Sequence, residues 1–332
     1  MLLLGLTIQV GCAQEFEVVK VGTVVNSSYR GLSVVDDRVA WVSGNQGMVG
    51  KTIDGGKTWD IRPLAGHEKL DFRSLYAFDE HRAVIANAGS PASILFTKDG
   101  GLHWELSYTN THPEIFFDGI DFWNEKDGII YGDPIDGRMT LMVTSDGGRT
   151  WRTVADPPSL VKGEASFAAS GTGIRCIGNS NVMICTGGMA SRLWSSSDRG
   201  NHWTAINPPV SQGTPTTGMY SFAIFKDQIT VVGGDYSQDA LTNANHFYSQ
   251  DGGKSWHAPA SGVRGYRECV EFITGSEWLS VGPSGIDVST DGGVTWRGLA
   301  DERGLHTARK ARKGTLVLLT GSSQGIYSLK RK

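Results

Sequence analysis

Six stretches of this sequence combine an aspartate, a glycine and a hydroxyl in a spacing that could bind a phosphate. The first, TIDGGKTW at residues 52–59, contains the Gly-Lys-Thr that closes a phosphate-binding loop. Such a loop also needs a glycine five positions before its last glycine, so that successive backbone N–H groups can surround the anion. That position holds Lys51. Because the stretch recurs six times in one chain, phosphate binding does not explain it.

The six stretches share the pattern Ser/Thr-x-Asp-x-Gly-x-x-Trp, which describes a self-contained turn. The carboxylate can accept hydrogen bonds from the N–H groups of its own turn, the glycines allow positive φ, and the tryptophan anchors the turn in an apolar layer. We therefore predict a structural role for six aspartates: Asp54, Asp99, Asp146, Asp198, Asp251 and Asp291. His103 and His202 take the hydroxyl position of degenerate copies, so we do not expect them to bind a metal.

The spacing of these stretches predicts the fold. Consecutive aspartates are 45, 47, 52, 53 and 40 residues apart, and short alternating apolar runs fill the intervals. A period of this length predicts units of four short strands, A to D, with the recurring stretch between strands C and D. After the sixth copy the chain supplies three more strands, and residues 15–25 supply one strand before the first unit.

These elements predict one all-β domain over residues 15–332, a seven-bladed β-propeller of four-stranded antiparallel blades. We expect the N-terminal strand to complete the last blade and so to close the ring. The D-to-A and B-to-C connections of such a ring lie at one end of its central channel, and the recurring stretches lie at the other. A binding site is expected at the former end, where the A strands begin.

Charged residues of both signs are predicted at that end. Alignment of the A strands gives one equivalent position per blade: Arg30, Arg73, Asp118, Ser166, Ser221, Glu268 and Thr307. With the neighbouring turns, they predict a charged ligand-binding funnel made of Arg30, Arg73, Asp118, Asp133, Asp136, Arg138, Arg192, Asp235, Tyr236, Arg267 and Glu268. The alternative is that these polar groups only line a water-filled channel.

The recurring stretch and two longer phrases resemble known proteins. The stretch is that of the Asp-box, or BNR, repeat. The phrases FFDGIDFWNEKDGIIYGDPIDGR and GEASFAASGTGI, at residues 116–138 and 163–174, resemble the photosystem II stability/assembly factor-like propellers and their exported bacterial relatives, some of which are labelled oxidoreductase or glycosyl hydrolase. Sialidases are more distantly similar. The resemblance implies a propeller over essentially the whole mature chain and leaves its activity open.

Catalysis is a second interpretation of the same funnel. A sialidase uses three arginines, a tyrosine paired with a glutamate, and an aspartic acid, a set that Arg30, Arg73, Arg267, Tyr266, Glu268 and Asp118 could imitate. Asp118 with Asp235 or Glu268 is also a conceivable pair of carboxylates for glycoside hydrolysis. The Arg-Ile-Pro motif of sialidases is missing, however. No Gly-x-Gly-x-x-Gly follows a predicted strand and no Cys-x-x-Cys occurs, so we expect no oxidoreductase, cofactor or metal site.

The charge balance bears on the partner. The chain has 31 basic and 34 acidic residues, a formal net charge of −3, which predicts no general affinity for nucleic acid or an anionic membrane. Our hypothesis is a monomeric, non-catalytic binding or assembly-factor-like propeller that recognises a protein or a glycan at the channel mouth. The alternative is a sialidase-like glycoside hydrolase that uses the acids of the same funnel.

The N-terminus predicts export. Its first eleven residues, MLLLGLTIQVG, are uncharged and mostly apolar, and a polar segment follows. Residues 1–12 are therefore expected to form an export signal. Gly11 and Cys12 resemble a bacterial lipobox, which implies lipidation of Cys12 and a location in the periplasm or, through a lipid anchor, at the outer membrane. Cys176 and Cys185 flank a turn-like GNSN, so they are either two small buried hydrophobes or a disulfide.

Overall fold

The computed structural model describes residues 16–23, 27–322 and 325–332, and these residues form 29 strands and no helix. One strand precedes the first blade: β1 (Phe16–Thr23). Blades 1 to 3 each contain four consecutive strands. They are β2 (Tyr29–Val34), β3 (Ala40–Gly44), β4 (Met48–Thr52) and β5 (Asp60–Pro63); β6 (Asp71–Ala77), β7 (Ala83–Ala88), β8 (Ala92–Thr97) and β9 (Glu105–Asn110); and β10 (Phe117–Phe122), β11 (Gly128–Ile135), β12 (Arg138–Thr144) and β13 (Arg152–Thr153).

The later blades follow the same order with insertions. Blade 4 contains β15 (Ile174–Ile177), β16 (Asn181–Cys185), β18 (Leu193–Ser196) and β19 (Thr204–Ile206), and the short β14 (Glu164–Ala165) and β17 (Gly187–Gly188) join the sheet of blade 5. Blade 5 contains β20 (Thr217–Phe225), β21 (Gln228–Asp235) and β22 (His246–Ser249), and its outer strand is reduced to one bridge between Tyr248 and His257. Blade 6 contains β23 (Cys269–Thr274), β24 (Glu277–Gly282), β25 (Gly285–Ser289) and β26 (Arg297–Ala300).

Blade 7 closes the ring in the predicted way. It contains β27 (Leu305–Lys310), β28 (Val317–Gly321) and β29 (Gly325–Arg331), and β1 supplies its outer strand. β1 runs antiparallel to β29, from Phe16 opposite Arg331 to Thr23 opposite Gly325. The seven-bladed all-β propeller and its closure by the N-terminal strand are therefore confirmed.

The core lies between the blades, because each sheet is covered on both faces by its neighbours. Strand β3 is buried along its whole length, whereas the outer strand β5 is mostly exposed. A representative cluster joins Tyr131 and Leu141 of blade 3 to Ile174 and Ile184 of blade 4. Continuous burial on two faces explains why the inner strands are apolar runs instead of strict alternations.

Several A strands contain a β-bulge where they enter the channel mouth. The register shifts lie at Arg30, Arg73, Asp118, Tyr220 and His306. A bulge inserts one unpaired residue and re-aims its side chain. This corrects the predicted alignment in blades 5 and 7 by one residue, because Tyr220 and His306 take the channel position that we assigned to Ser221 and Thr307.

The predicted A strand of blade 4 is wrong. Residues 165–172, which we name the channel plug, lie inside the channel instead, and β15 begins only at Ile174. The plug contacts blades on the far side of the ring: the Ala169 carbonyl accepts a hydrogen bond from Arg30 at 2.6 Å, and the Ser170 hydroxyl donates to the Glu268 carbonyl at 2.7 Å. Residues 168–171 are Ala-Ala-Ser-Gly, so close approach of the blades to this backbone is sterically possible.

Candidate binding site

A pocket of about 560 Å³ lies at the predicted end of the channel. We name it the mouth pocket. Its lining comes from the starts of A strands, the B-to-C turns and the plug: Arg30, Arg73, Phe116, Asp118, Asp133, residues 165–169, Tyr220, Tyr236, Tyr266, Glu268, Pro283 and His306. Six residues of the predicted funnel line it: Arg30, Arg73, Asp118, Asp133, Tyr236 and Glu268.

One wall of the mouth pocket is a closed network of charges. Arg30 Nη1 lies 2.7 Å from Glu268 Oε2, and His306 Nδ1 lies 2.9 Å from the same oxygen. Burial alone would raise the pKa of Glu268, but the hydrogen bond from His306 and the charge of Arg30 hold it below its ordinary value. Glu268 is therefore an ionised, fully engaged carboxylate.

The opposite wall contains carboxylates with few partners. Asp118 is completely buried, and neither of its carboxylate oxygens has a hydrogen-bond partner of acceptable geometry. Burial and the charge of Asp133 raise the pKa of Asp118 well above its ordinary value, while Arg73 and the nearby amides of Ala168 and Asp133 oppose the rise. Burial also raises the pKa of Asp133, whose Oδ1 accepts the Ser166 N–H at 2.9 Å.

Arg73 and Ser166 also line this acid wall. Arg73 is held by Asp71, with Nε 2.7 Å from Oδ2, and the second Asp71 oxygen is buried without a partner. The Ser166 hydroxyl also lacks a hydrogen-bond partner, and only 5% of the residue is exposed. Since buried polar groups in folded proteins are almost always hydrogen-bonded, orphans that line an open pocket suggest a ligand or ordered water.

Aromatic rings form the third side of the mouth pocket. Phe167 of the plug stacks on Tyr220 with ring centroids 3.9 Å apart, and Tyr266 meets Tyr220 edge-on at 4.7 Å. Tyr236 lies edge-on to Tyr220 at 6.5 Å and is 55% exposed. Carboxylates beside aromatic rings can bind an organic cation, the apolar face of a sugar or an extended peptide.

Five residues of the predicted funnel lie outside the mouth pocket. Arg267 is completely buried, and its guanidinium pairs with Asp287 within blade 6. Arg192 pairs with Glu164 and lies 4.4 Å over the Trp194 ring. Their charges are used inside the blades, so these two assignments to the funnel are corrected.

The other three lie at B-to-C turns: Asp136 lies in the turn, Arg138 begins β12, and Asp235 is the half-buried last residue of β21. Arg138 Nη2 is 2.5 Å from Asp156 Oδ1 on the outside of blade 3, and Asp136 occupies a turn with φ of 54°. Asp235 caps its own turn by accepting the Ser237 N–H at 2.9 Å. Asp235 does not line the mouth pocket with Asp118.

The sequence alignment of the A strands missed three residues that line the mouth pocket: Phe167, Tyr220 and His306. Tyr220 and His306 each stand one residue before the position that we aligned, and a bulge in the strand is not visible in a hydrophobic pattern. Phe167 lies in the phrase that we assigned to an A strand. The residues that follow Phe167, Ala-Ala-Ser-Gly, could have indicated the error. Such a run of small residues is atypical of a strand that packs between two neighbouring blades.

The Asp-boxes lie in the C-to-D turns at the other end of the ring. In the first copy, Asp54 Oδ1 accepts the Thr58 N–H at 3.0 Å, and Trp59 donates to the Gly56 carbonyl at 3.0 Å. The Thr58 backbone and hydroxyl groups lower the pKa of Asp54 to about 2. Both Asp54 oxygens are used within the turn, as expected of a structural carboxylate.

The same end of the channel holds a second pocket of about 430 Å³, which we name the base pocket. Its charged lining residues include Asp121, Arg175, Glu271, Arg309 and Arg312. Arg175 Nη2 lies 2.7 Å from Glu271 Oε2, and Arg309 donates to the Gly171 carbonyl of the plug. The plug therefore lies between the two pockets.

Other chemistry is limited in the described part of the chain. Cys176, Cys185 and Cys269 are free thiols there. No group of three His, Cys, Asp or Glu side chains among the described residues is placed to hold a metal ion. In the same residues no helix is long and apolar enough to cross a membrane. Cys12 and the predicted export signal lie outside the described residues.

The family is shown by sequence comparison. The model described as "Photosynthesis system II assembly factor YCF48" matches residues 9–113 and 74–214, together more than half of the chain. The chain belongs to this family. A BNR/Asp-box repeat model also matches residues 247–258. A search of curated proteins found no match.

Solved structures agree with this assignment at the level of the fold. YCF48 from Cyanidioschyzon merolae is 16% identical, with a TM-score of 0.68 over 95% of this chain and 98% of that chain. The structure titled "YCF48 bound to D1 peptide" is 16% identical, with a TM-score of 0.64 over 95% and 96%. A GH74 enzyme from Niastella koreensis is 13% identical, with a TM-score of 0.63 over 88% of this chain and 50% of that enzyme.

Proposed function

We propose that this YCF48-family propeller is a non-catalytic binding protein that holds a segment of a partner protein in its mouth pocket. The observation that supports this most strongly is the convergence of buried, unpartnered polar atoms of Asp118 and Ser166 with aromatic rings on one open pocket. An unpaired buried carboxylate costs stability, and such groups persist where a ligand supplies the missing partner.

The rim of the mouth pocket favours a protein over a small solute. Seven large hydrophobic side chains are exposed among the described residues, and four of them stand in D-to-A or B-to-C connections: Val161, Met189, Tyr236 and Leu241. Exposed apolar and aromatic groups around a concave site are typical of protein interfaces. A structurally similar propeller has been solved with a bound peptide.

A pull-down from envelope fractions tests this proposal. We expect one set of partners to be retained by the wild type and lost with Tyr236→Ala. The matched control is Leu106→Ala, which removes a comparably exposed side chain, 59% against 55%, from the outer strand β9. Equal retention by all three proteins would contradict the proposal, and retention of glycans alone would assign the pocket to a different ligand class.

Glycoside hydrolysis has no observation in its favour. Arg267, a member of the sialidase-like set, is paired with Asp287, and Glu268 is already engaged by Arg30. The similarity to GH74 enzymes concerns the fold, and this chain spans about half of one such enzyme. Turnover of any aryl glycoside or sialoside that Glu268→Gln abolishes would revive this interpretation.

We also propose that the protein is exported and lipidated on Cys12, which rests on the apolar N-terminus and the lipobox-like Gly11-Cys12. Metabolic labelling with palmitate should mark the wild type and not Cys12→Ser. Globomycin should block processing of the wild type. An unlabelled wild-type protein in the envelope would contradict the proposed lipidation, and a protein found in the cytoplasm would contradict the proposed export.

A further inference from the structure

We propose that the acid wall and aromatic rings of the mouth pocket bind a basic side chain, a lysine or an arginine, carried by the partner segment. This inference rests on the proposed function and specifies what the pocket recognises. The juxtaposition that carries it is an acid wall of Asp118 and Asp133 beside Phe167, Tyr220 and Tyr266.

The charges of the pocket are uneven. Two carboxylates, Asp118 and Asp133, line the acid wall with one guanidinium, that of Arg73. Asp71, which does not line the pocket, already holds this guanidinium, with Arg73 Nε 2.7 Å from Asp71 Oδ2. On the opposite wall, Arg30 and Glu268 neutralise each other at 2.7 Å. The unbalanced formal charge is therefore negative and lies on one side. A cation bound there would favour the ionised form of the two buried carboxyls, whereas a carboxylate or a phosphate would oppose it.

Hydrogen-bond acceptors without donors lie on the same wall. Both Asp118 oxygens are buried without a hydrogen-bond partner of good geometry, and the Ser166 hydroxyl lacks a partner as well. An ammonium or guanidinium group brings three to five N–H donors and no acceptor, so it matches a site that lacks donors. A ligand that offers only acceptors would leave these carboxylates unsatisfied.

The aromatic side chains suit the stem and the charge of such a residue. Phe167, Tyr220 and Tyr266 line the pocket next to the acid wall. Aromatic faces attract cations, and the methylene stems of lysine and arginine pack well on apolar rings. Together, the rings and the carboxylates complement both parts of a long basic side chain.

The experiment uses the mature full chain and an unbiased display library of 12-residue peptides. Peptides that are selected for binding to the wild-type protein and that compete with one another for the same site should share a basic residue. Replacing that residue by norleucine should weaken binding at least tenfold in fluorescence anisotropy. Asp118→Asn should weaken binding of the basic peptide by a similar factor and leave the norleucine peptide almost unchanged.

This coupling separates a direct contact from a general loss of folding, because a misfolded variant would weaken both peptides equally. The matched control is Asp156→Asn, which removes an exposed carboxylate outside the pocket and should change neither affinity. Two results would overturn this inference and leave the proposed function standing: peptides that bind the mouth without a basic residue, or equal losses for both peptides with an Asp118→Asn protein whose thermal unfolding matches or exceeds that of the wild type. Failure to select any peptide that Tyr236→Ala weakens would count against both.

Discussion

The two ends of the central channel differ in how their buried charges are satisfied, and strand β10 shows the difference within four residues. Asp121 faces the base pocket, where its carboxylate accepts the Cys176 N–H at 2.7 Å and the Phe122 N–H at 2.9 Å. Asp118 faces the mouth pocket, and neither of its carboxylate oxygens has a hydrogen-bond partner of good geometry. Burial raises the pKa of both carboxyls, but only at the mouth is the structural partner missing.

The arginines of the base pocket are satisfied by other side chains as well. In the base pocket Arg312 donates to the Ser33 hydroxyl at 3.0 Å and lies 4.3 Å over the Tyr76 ring, and Arg175 pairs with Glu271. These contacts join side chains of different blades, so they brace the ring. We infer that the side-chain contacts of the base pocket stabilise the ring. The unpartnered groups of the mouth pocket lower its stability, and we infer that they are kept for binding.

The largest expected effect is loss of stability at the base. Arg175→Met should lower the free energy of unfolding by about 3 kcal/mol, because it leaves the Glu271 carboxylate buried without its partner. Urea unfolding followed by tryptophan fluorescence measures this change. Peptide binding at the mouth should be unaffected in the folded fraction, and a binding defect with normal stability would reverse the roles that we assign to the two pockets.

Two matched substitutions on β10 should change the stability of the protein in opposite directions at the two ends of the channel. Asp121→Asn should destabilise the protein by about 1–2 kcal/mol, because an amide cannot accept both backbone N–H groups equally well. Asp118→Asn should instead stabilise it by about 1 kcal/mol at neutral pH and weaken binding, since it removes a buried charge that has no partner. Thermal unfolding of both variants measures the difference, and destabilisation by both would remove the contrast.

The effect of Asp118→Asn should depend on pH. A carboxyl whose folded-state pKa is raised contributes stability that is complete below its unfolded value, near 3.8, and that is lost as the pH rises through the folded value. The stability gain of Asp118→Asn over the wild type should therefore shrink as the pH falls from 7 to 4. A gain that is constant across this range would mean that Asp118 is not the titrating group.

The smallest expected change in stability is at the rim. Tyr236 is 55% exposed, so Tyr236→Ala should alter the free energy of unfolding by less than about 0.5 kcal/mol while it weakens partner binding. Calorimetry and the pull-down measure the two quantities on one protein preparation. A Tyr236→Ala variant that unfolds at a clearly lower temperature than the wild type would show that this tyrosine stabilises the ring, as the arginines of the base pocket do.

Local patterns predicted the propeller, and they failed where distant segments meet. The Asp-box is a turn closed by its own backbone and side chains, so its spacing alone reveals the blades. The alignment of A strands also found Arg30, Arg73, Asp118 and Glu268. It misplaced the channel plug because that segment is held by blades 1, 6 and 7, through contacts that span from 98 to 139 residues of chain.

The chain order of apolar runs, turns and Asp-boxes was sufficient to specify seven blades and the strand that closes them, because each of these features depends on residues a few positions apart. Only the assembled ring decided which charges are satisfied. Arg267 is paired with Asp287 and Arg192 with Glu164, whereas the Asp118 carboxylate and the Ser166 hydroxyl have no hydrogen-bond partner of good geometry. Satisfaction of a buried charge depends on the three-dimensional neighbours that packing brings to it, and those neighbours come from every part of the ring.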